Sequence, residues 1–321
     1  MPQNVVIMRL QKSLPATLSV LMLIVGGSAA GANADDLAGV ADSVAAQIAE
    51  VAPEVGALVP PSPEAGSLVA VSDDVVVTAP KDGVGSVELR SSTVGTLDVS
   101  LPNQANQDAP VVASDGTVVY SGETSSTALQ VLTAGDVRLQ SISENEGAPS
   151  RYSYEFSDFV DLVLRGDGGA GITERTQSGS VVKYGEIDAP WAFDASGTPV
   201  QTYYLVEGNL LTQVITDPGT TYPVIADPKL TLGKRIYWSL TRTEQRYFGT
   251  MGSVAAAAYL CGQTVGLGCA AASAAAAGIG PYLSDRGGLC PTSAPWLQVG
   301  FPDGFPAQMW PGPSLACLKT V

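Results

Sequence analysis

The sequence contains no histidine. That absence removes His-based triads, His-ligated zinc sites and the usual general base near neutral pH. Cysteine is missing from the first 260 residues, and all four (Cys261, Cys269, Cys290, Cys317) fall in the last 61. Cations are scarce: 16 Lys and Arg stand against 31 Asp and Glu, a net charge of −15. Phosphate recognition needs clustered Lys and Arg, which argues against nucleic acid as a partner. The chain has no Gly-x-Ser-x-Gly elbow and no Gly-Lys-Ser/Thr phosphate loop.

What is present begins with a leader. Arg9 and Lys12 form a basic start, Leu14 to Val25 is mostly apolar, and Ala32-Asn33-Ala34 is a small-x-small cleavage site. We expect a secretory signal over 1–34, cut after Ala34, and a secreted mature chain. The apolar run is too short for a permanent span. An even, clustered set of cysteines in an exported chain points to two disulfides, with three connectivities open.

Charge divides the mature chain. Residues 35–228 hold 7 basic and 28 acidic residues, whereas 229–321 hold 7 and 3, so the halves carry −21 and +4. Such asymmetry marks differently employed parts. Leu37, Val40, Ala41, Val44, Ile48 and Val51 recur at helical spacing, giving an amphipathic helix over about 35–50. Pro53, Pro60, Pro61 and Pro63 then make a linker to residue 68. From 69 to 228 the pattern turns to short strands: 115–120, 135–142, 151–156, 180–184 and 202–215. The last reads as a hairpin around Glu207-Gly208-Asn209.

Motifs for chemistry are thin. Gly266-Leu-Gly268-Cys-Ala-Ala271 matches a dinucleotide fingerprint but follows an Ala-rich helix, not a strand, and no cofactor is expected. Gly166-Asp-Gly168-Gly-Ala-Gly171 lies between strand-like runs and reads as a tight turn. Asp158, Asp161 and Asp167 are weak calcium candidates, without EF-hand spacing. The same acids, or Glu155 with Asp158, are the candidates for a carboxylate-based hydrolase. Ser180-Val-Val-Lys183 matches Ser-x-x-Lys, but on a strand its ends point to opposite faces. No catalytic residue is assigned.

Residues 229–248 hold five basic residues and one acidic among aromatics. Thr241 and Glu244 form a capping-box pattern. The next 38 residues from Tyr247 to Ser284 lack charge. Helices over about 248–261 and 269–280 would be roughly 21 and 18 Å long, short of a ~30 Å bilayer core. Eight positions apart on one helix, Cys261 and Cys269 would lie about 12 Å apart, beyond the ~7 Å a disulfide needs. Pairing them therefore requires a turn at Gly262–Gly268. We prefer Cys261–Cys269 with Cys290–Cys317, the latter closing an irregular loop rich in Pro and Trp. Two uses of this region are weighed: packing on the protein, or contact with an anionic membrane through Lys234, Arg235, Trp238 and Arg242. Trp296 and Trp310 are candidate ligand contacts.

The stretch "APWAFDASGTPVQTYYLVEGNLLTQVITDPGTTYPVIADPKL" (189–230), with the cysteine-bearing hairpin and "GLC…C" tail, resembles a group of uncharacterised secreted proteins from high-GC Gram-positive bacteria. The "YPVIADP" element (222–228) would mark a junction between two parts. The resemblance spans about 110–321 and implies export, a β-rich middle and a small stapled C-terminal domain. It supplies no activity and no catalytic residue. Some relatives carry His where this chain has none, in the segments matching 215–222 and 291–300.

The expected fold class is α+β: an antiparallel, sandwich-like β-rich domain over 69–228, then a disulfide-stapled α-helical hairpin domain over 229–321. The expected function is a non-enzymatic envelope or extracellular interaction protein, with cell-wall polymer or anionic membrane as partner. The alternatives are a bacteriocin-like C-terminal unit masked by the acidic part, released by cleavage near Asp227-Pro228, and a carboxylate-dependent hydrolase.

Overall fold

The computed structural model describes residues 34–52, 56–91, 94–216, 221–250, 253–265, 279, 282–283, 289–301 and 314–321, with backbone alone at 235, 253 and 301. The expected helix is α1 (Ala34–Val51), with Asp35 and Asp36 in its first turn, where carboxylates offset the helix dipole. Its buried stripe is Ala41, Val44, Ala45 and Ile48. Leu37 and Val40, one turn earlier on the apolar pattern, are exposed.

Five strands make an antiparallel meander: β1 (Ser62–Glu64), β2 (Ser67–Val71), β3 (Val75–Pro80), β4 (Ser86–Ser91) and β5 (Gly95–Ser100). Inward and outward positions alternate along β3 and β4, as in a sheet with one face on a core. Because β1 starts at Ser62, the linker expected after the helix, up to residue 68, already contains sheet.

Next come β6 (Val111–Val112), β7 (Val118–Tyr120), β8 (Ser125–Val131), β9 (Val137–Ser143), β10 (Arg151–Glu155), β11 (Asp161–Leu164), β12 (Ala170–Arg175), β13 (Val181–Ile187) and β14 (Ala192–Asp194). They are followed by β15 (Thr202–Glu207), β16 (Leu210–Ile215), β17 (Val224–Ala226), β18 (Lys229–Leu240), α2 (Arg242–Phe248), α3 (Ser253–Cys261), β19 (Trp296–Phe301) and β20 (Ser314–Leu318). Strands β10, β16 and β15 form a three-stranded sheet. A 12-stranded sheet runs β11-β12-β13-β18-β9-β8-β7-β6, with β14, β17, β19 and β20 attached beside this path. Among the described residues every strand pair is antiparallel, and the fold is antiparallel and β-rich with few helices.

All residues of β8 and β9 are buried. Helix α1 covers one face, where Ala45 and Ile48 cluster with Val119, Ala128, Ile142 and Ile225. The main core covers the other. Tyr152 and Tyr154 reach across to Ser143 and Ser141 with hydroxyl–hydroxyl bonds of 2.7 and 2.6 Å. The 202–215 hairpin is present as expected, and Gly208 at φ 61° makes its turn.

The boundary expected at 228/229 falls inside the sheet. β18 pairs with β13, β9 and β19, so residues 229–240 are an internal strand and not the lead-in of a separate unit. Leu260, Ile279, Leu283, Cys290, Leu297 and Val299 belong to the same buried core as the strands. The helix expected over 248–261 is two pieces, α2 and α3; the capping box at Thr241 and Glu244 starts α2. The arm expected over 269–280 lies, apart from Ile279, outside the described residues. The loop expected to be irregular after 287 contains β19 and β20, whose apolar alternation (Leu297, Val299) suits a strand. Cys290 and Cys317 form a disulfide across it, with Cα atoms 5.6 Å apart. Cys261 is also disulfide-bonded. Its expected partner, Cys269, lies outside the described residues.

Candidate functional site

Two interruptions in the sheet meet at one place. β17 and β18 both pair with β9, so they run as one line broken at Asp227-Pro228. On the other side, β13 pairs with β18 up to Ile187↔Leu230, and β14 pairs with β17 from Ala192↔Ala226. Residues 188–191 therefore face only 227–229, one more residue on the first strand than on the second. Such an inequality is a bulge, and Pro190 and Pro228 suit it because neither has an amide hydrogen to place in a ladder.

A cavity of about 350 Å³ opens at this break. Its wall is Arg138 of β9, Arg165 and Asp167 at the β11–β12 turn, Asp188 and Trp191 of the bulge, and Asp227 and Lys229 across from them. Ala52, just past α1, closes one side. The ladder makes Lys229 and Arg138 direct partners, which fixes two cations on one wall.

Asp227 is 1% exposed. Its Oδ1 accepts from the Trp191 amide at 3.0 Å and from Gln213 Nε2 at 3.2 Å. Its Oδ2 is sealed from solvent, and the buried Tyr204 hydroxyl beside the carboxyl favours the charged form. Burial pushes Asp227 up to about 8, against the lowering pull of the Trp191 amide. At neutral pH the side chain is therefore a carboxylic acid, able to donate from one oxygen.

The other charges are paired. Arg165 meets Asp167 at 2.8 Å and Glu186 at 3.0 Å, and Lys229 meets Asp188 at 2.8 Å. The Arg165 guanidinium holds Asp167 below the usual carboxylate range. Arg138 donates to Gln130 Oε1 at 3.4 Å.

No protein-family model matches this chain, and no curated protein does. Among solved structures, the gh92-family glycosyl hydrolase ccman5 is similar over 72% of this chain and 35% of its own, at 12% identity and a TM-score of 0.12. This chain thus spans about a third of that protein's length, and a likeness so low carries no argument.

The residues singled out from the sequence are mostly elsewhere. Asp158 and Asp161 are exposed around the start of β11, and Asp167 is held by Arg165; no three of the described acids or cysteines gather as a metal site. The calcium candidates are not brought together, because Asp167 is turned into the Gly166–Gly169 turn, where it also accepts from the Gly169 amide at 3.0 Å. That segment is a tight turn, with Gly168 at φ 92°. Glu155 is exposed at the end of β10, away from the cavity lining. Ser180 is bonded to Glu244, and Lys183 to Glu186, on opposite faces of β13.

The membrane contacts fare similarly. Trp238 is fully buried in the core on the inward-facing side of β18, so it is not available to a bilayer. Lys234 is tied to Asp136 at 2.9 Å. Arg242 is half-buried at the start of α2 and Trp296 half-buried in β19. The Arg235 side chain and Trp310 lie outside the described residues. Among the described residues no helix is long and apolar enough to cross a membrane. Asp188, Trp191, Asp227 and Lys229 were missed as site residues, although both their segments, "DAPW" and "ADPK", carry the signal: an acid within two residues of a proline in a strand context.

Proposed function

We propose that this chain is an exported, non-enzymatic interaction protein of the envelope or extracellular space, and that it binds its partner at the Asp227 cavity. The observation that carries this reading is a concave site whose lining brings a buried acid, Asp227, together with Trp191, Arg138 and Lys229. A cleft with a few convergent polar groups is the ordinary place for a ligand. The disulfide at Cys290–Cys317 is consistent with an oxidising compartment and with removal of residues 1–34. We keep the stapled hairpin within the proposal: α3 is its first arm and Cys261 its staple, packed on the β core rather than free. Cell-wall polymer is the preferred partner class.

The test is co-sedimentation of the purified mature chain with insoluble cell-wall polymer, wild type against Asp227→Ala. The proposal expects wild type in the pellet and the variant, checked for intact fold by circular dichroism, in the supernatant. Wild type left in the supernatant, or equal pelleting of both, overturns it.

One observation favours a second reading. Asp227, a neutral acid, and Asp188, paired with Lys229, line the same cavity, which is the pairing of roles a carboxylate-based hydrolase uses. Turnover of nitrophenyl glycosides by wild type but not by Asp188→Asn would favour it over binding alone.

A further inference from the structure

A second concave surface lies where β11, β12, β13, β18 and β19 run side by side, on the face turned away from Trp238 and the core. It shares one lining residue, Arg165, with the Asp227 cavity. Its volume is about 500 Å³, within the roughly 300–1,000 Å³ of small-ligand sites. Residues directly opposite each other in a sheet share a face, and the register sets this lining in two lines across the strands. One line is Arg175, Val181, Ser239 and Gln298. The other is Asp161, Thr173, Lys183, Tyr237 and Gly300. From Arg175 to Gln298 the first line crosses three strand gaps, about 14 Å.

The polar groups of the first line are unused. Ser239 is 4% exposed, yet its hydroxyl makes no hydrogen bond among the described residues. The Gln298 amide and the exposed Arg175 guanidinium also make none among them. In the second line the Asp161 carboxylate is unpaired among the described residues; it is the Asp161 backbone oxygen that accepts from Thr173. The two remaining cations are spoken for. Lys183 is held by Glu186 and stands 5.7 Å from the centre of the Tyr237 ring, and Arg165 is held by Asp167 and Glu186. Tyr237 rests over Gly300, where a Cβ would stand 2.9 Å from a ring carbon, so glycine at 300 is what lets the ring lie across β19.

These groups select among ligands. Across a sheet face the backbone is already spent in the ladders, so an extended peptide, which docks by adding to an edge, finds no main-chain partner here. An anion meets repulsion from Asp161 and a cation from Arg175. A hydrocarbon would cover Ser239 and Gln298 without satisfying them. Hydroxyl groups suit every member: they accept from Arg175, donate to Asp161, and do both with Ser239 and the Gln298 amide, while a sugar ring packs on Tyr237. A single ring does not reach from Arg175 to Gln298. We propose that this groove binds a neutral oligosaccharide laid across β12, β13, β18 and β19. Its rings contact Tyr237 and its hydroxyls bond to Arg175, Asp161, Ser239 and Gln298. The site is separate from the Asp227 cavity and does not rest on the reading of it.

The probes are three soluble tetrasaccharides, of β-1,4-linked glucose, β-1,4-linked N-acetylglucosamine and α-1,4-linked glucose, with D-glucose and tetragalacturonate beside them. Each is titrated calorimetrically into the full mature chain. At least one neutral tetrasaccharide is expected to bind saturably, and about tenfold or more tightly than glucose, which uses part of the line, or tetragalacturonate, which Asp161 repels. Gln298→Ala and Arg175→Ala, at opposite ends of the line, are each expected to weaken that tetrasaccharide about tenfold. Tyr237→Ala is expected to weaken it further. Binding by none of the three overturns the proposal and leaves the Asp227→Ala pelleting comparison as it stands. Glucose or tetragalacturonate bound as tightly overturns the ligand class, and unchanged affinity in both end variants overturns the site. If a variant fails to fold, amide shifts of the wild-type chain decide: changes centred on β12, β13, β18 and β19 support the groove, and changes centred elsewhere overturn it.

Discussion

The β15–β16 hairpin and the junction at 188–191 and 227–229 lie close together in sequence and were built on opposite rules. The hairpin is regular: six residues pair with six, the turn sits on Gly208, and one face is buried against the core. The junction breaks its ladder on both strands, spends two prolines there, and gathers Asp188, Trp191, Asp227 and Lys229 around open space. Where pairing is complete, side chains are used up in packing. Where it is interrupted, charged groups gain room to meet something other than the protein.

That contrast is sharpened by substitutions that strike frame and site separately. The largest loss is expected in the frame: Trp238→Ala, in the fully buried middle of β18, should cost about 3–5 kcal/mol, read from the urea midpoint. Residues 229–321 expressed alone should stay unfolded by circular dichroism, because β18 pairs with β9 and β13 outside that fragment. Next, Cys290→Ser with Cys317→Ser removes a bridge 27 residues apart and should cost about 2–4 kcal/mol by the same measurement. Smaller again, Gly208→Val forces a branched side chain into positive φ and should cost roughly 1–2 kcal/mol, with binding at the cavity unchanged.

The smallest effect at acid pH is expected at the junction. Asp227→Asn should match wild type below about pH 3, where the acid is protonated folded and unfolded. The folded carboxyl has its pKa raised, so from about pH 4 to pH 8 the native chain holds a proton that the unfolded chain has lost. Wild-type stability therefore falls across that window relative to the variant, then levels off. Parallel urea midpoints at all pH values would contradict this.

The regular parts of the molecule were legible in the sequence. Alternation gave the hairpin at 202–215, the three- and four-residue spacing of Ala41, Val44 and Ile48 gave α1, and Thr241 with Glu244 gave the start of α2. Composition misled where it stood in for pairing. The switch from acidic to basic at 229 looked like a domain boundary, but β18 finds its partners in β9 and β13, far back along the chain, and such long-range pairing leaves no local trace. The same limit hid the cavity: Arg138, Arg165, Asp188 and Asp227 come from four separate stretches of the sequence, and only the register of β9, β13, β17 and β18 brings them together. Aromatics beside basic residues pointed to a membrane, yet Trp238 alternates into the core as a strand residue should.

The most direct test is the titration of the Asp227 carboxyl itself, followed by carbon-detected NMR on the intact chain with Asp227→Asn identifying the signal. A midpoint near 8 is what a neutral donor at the inner end of a binding cavity requires. A midpoint at the ordinary aspartate value of about 3.9 would mean that hydrogen bonds outweigh burial, and the account of Asp227 as a neutral donor would fail.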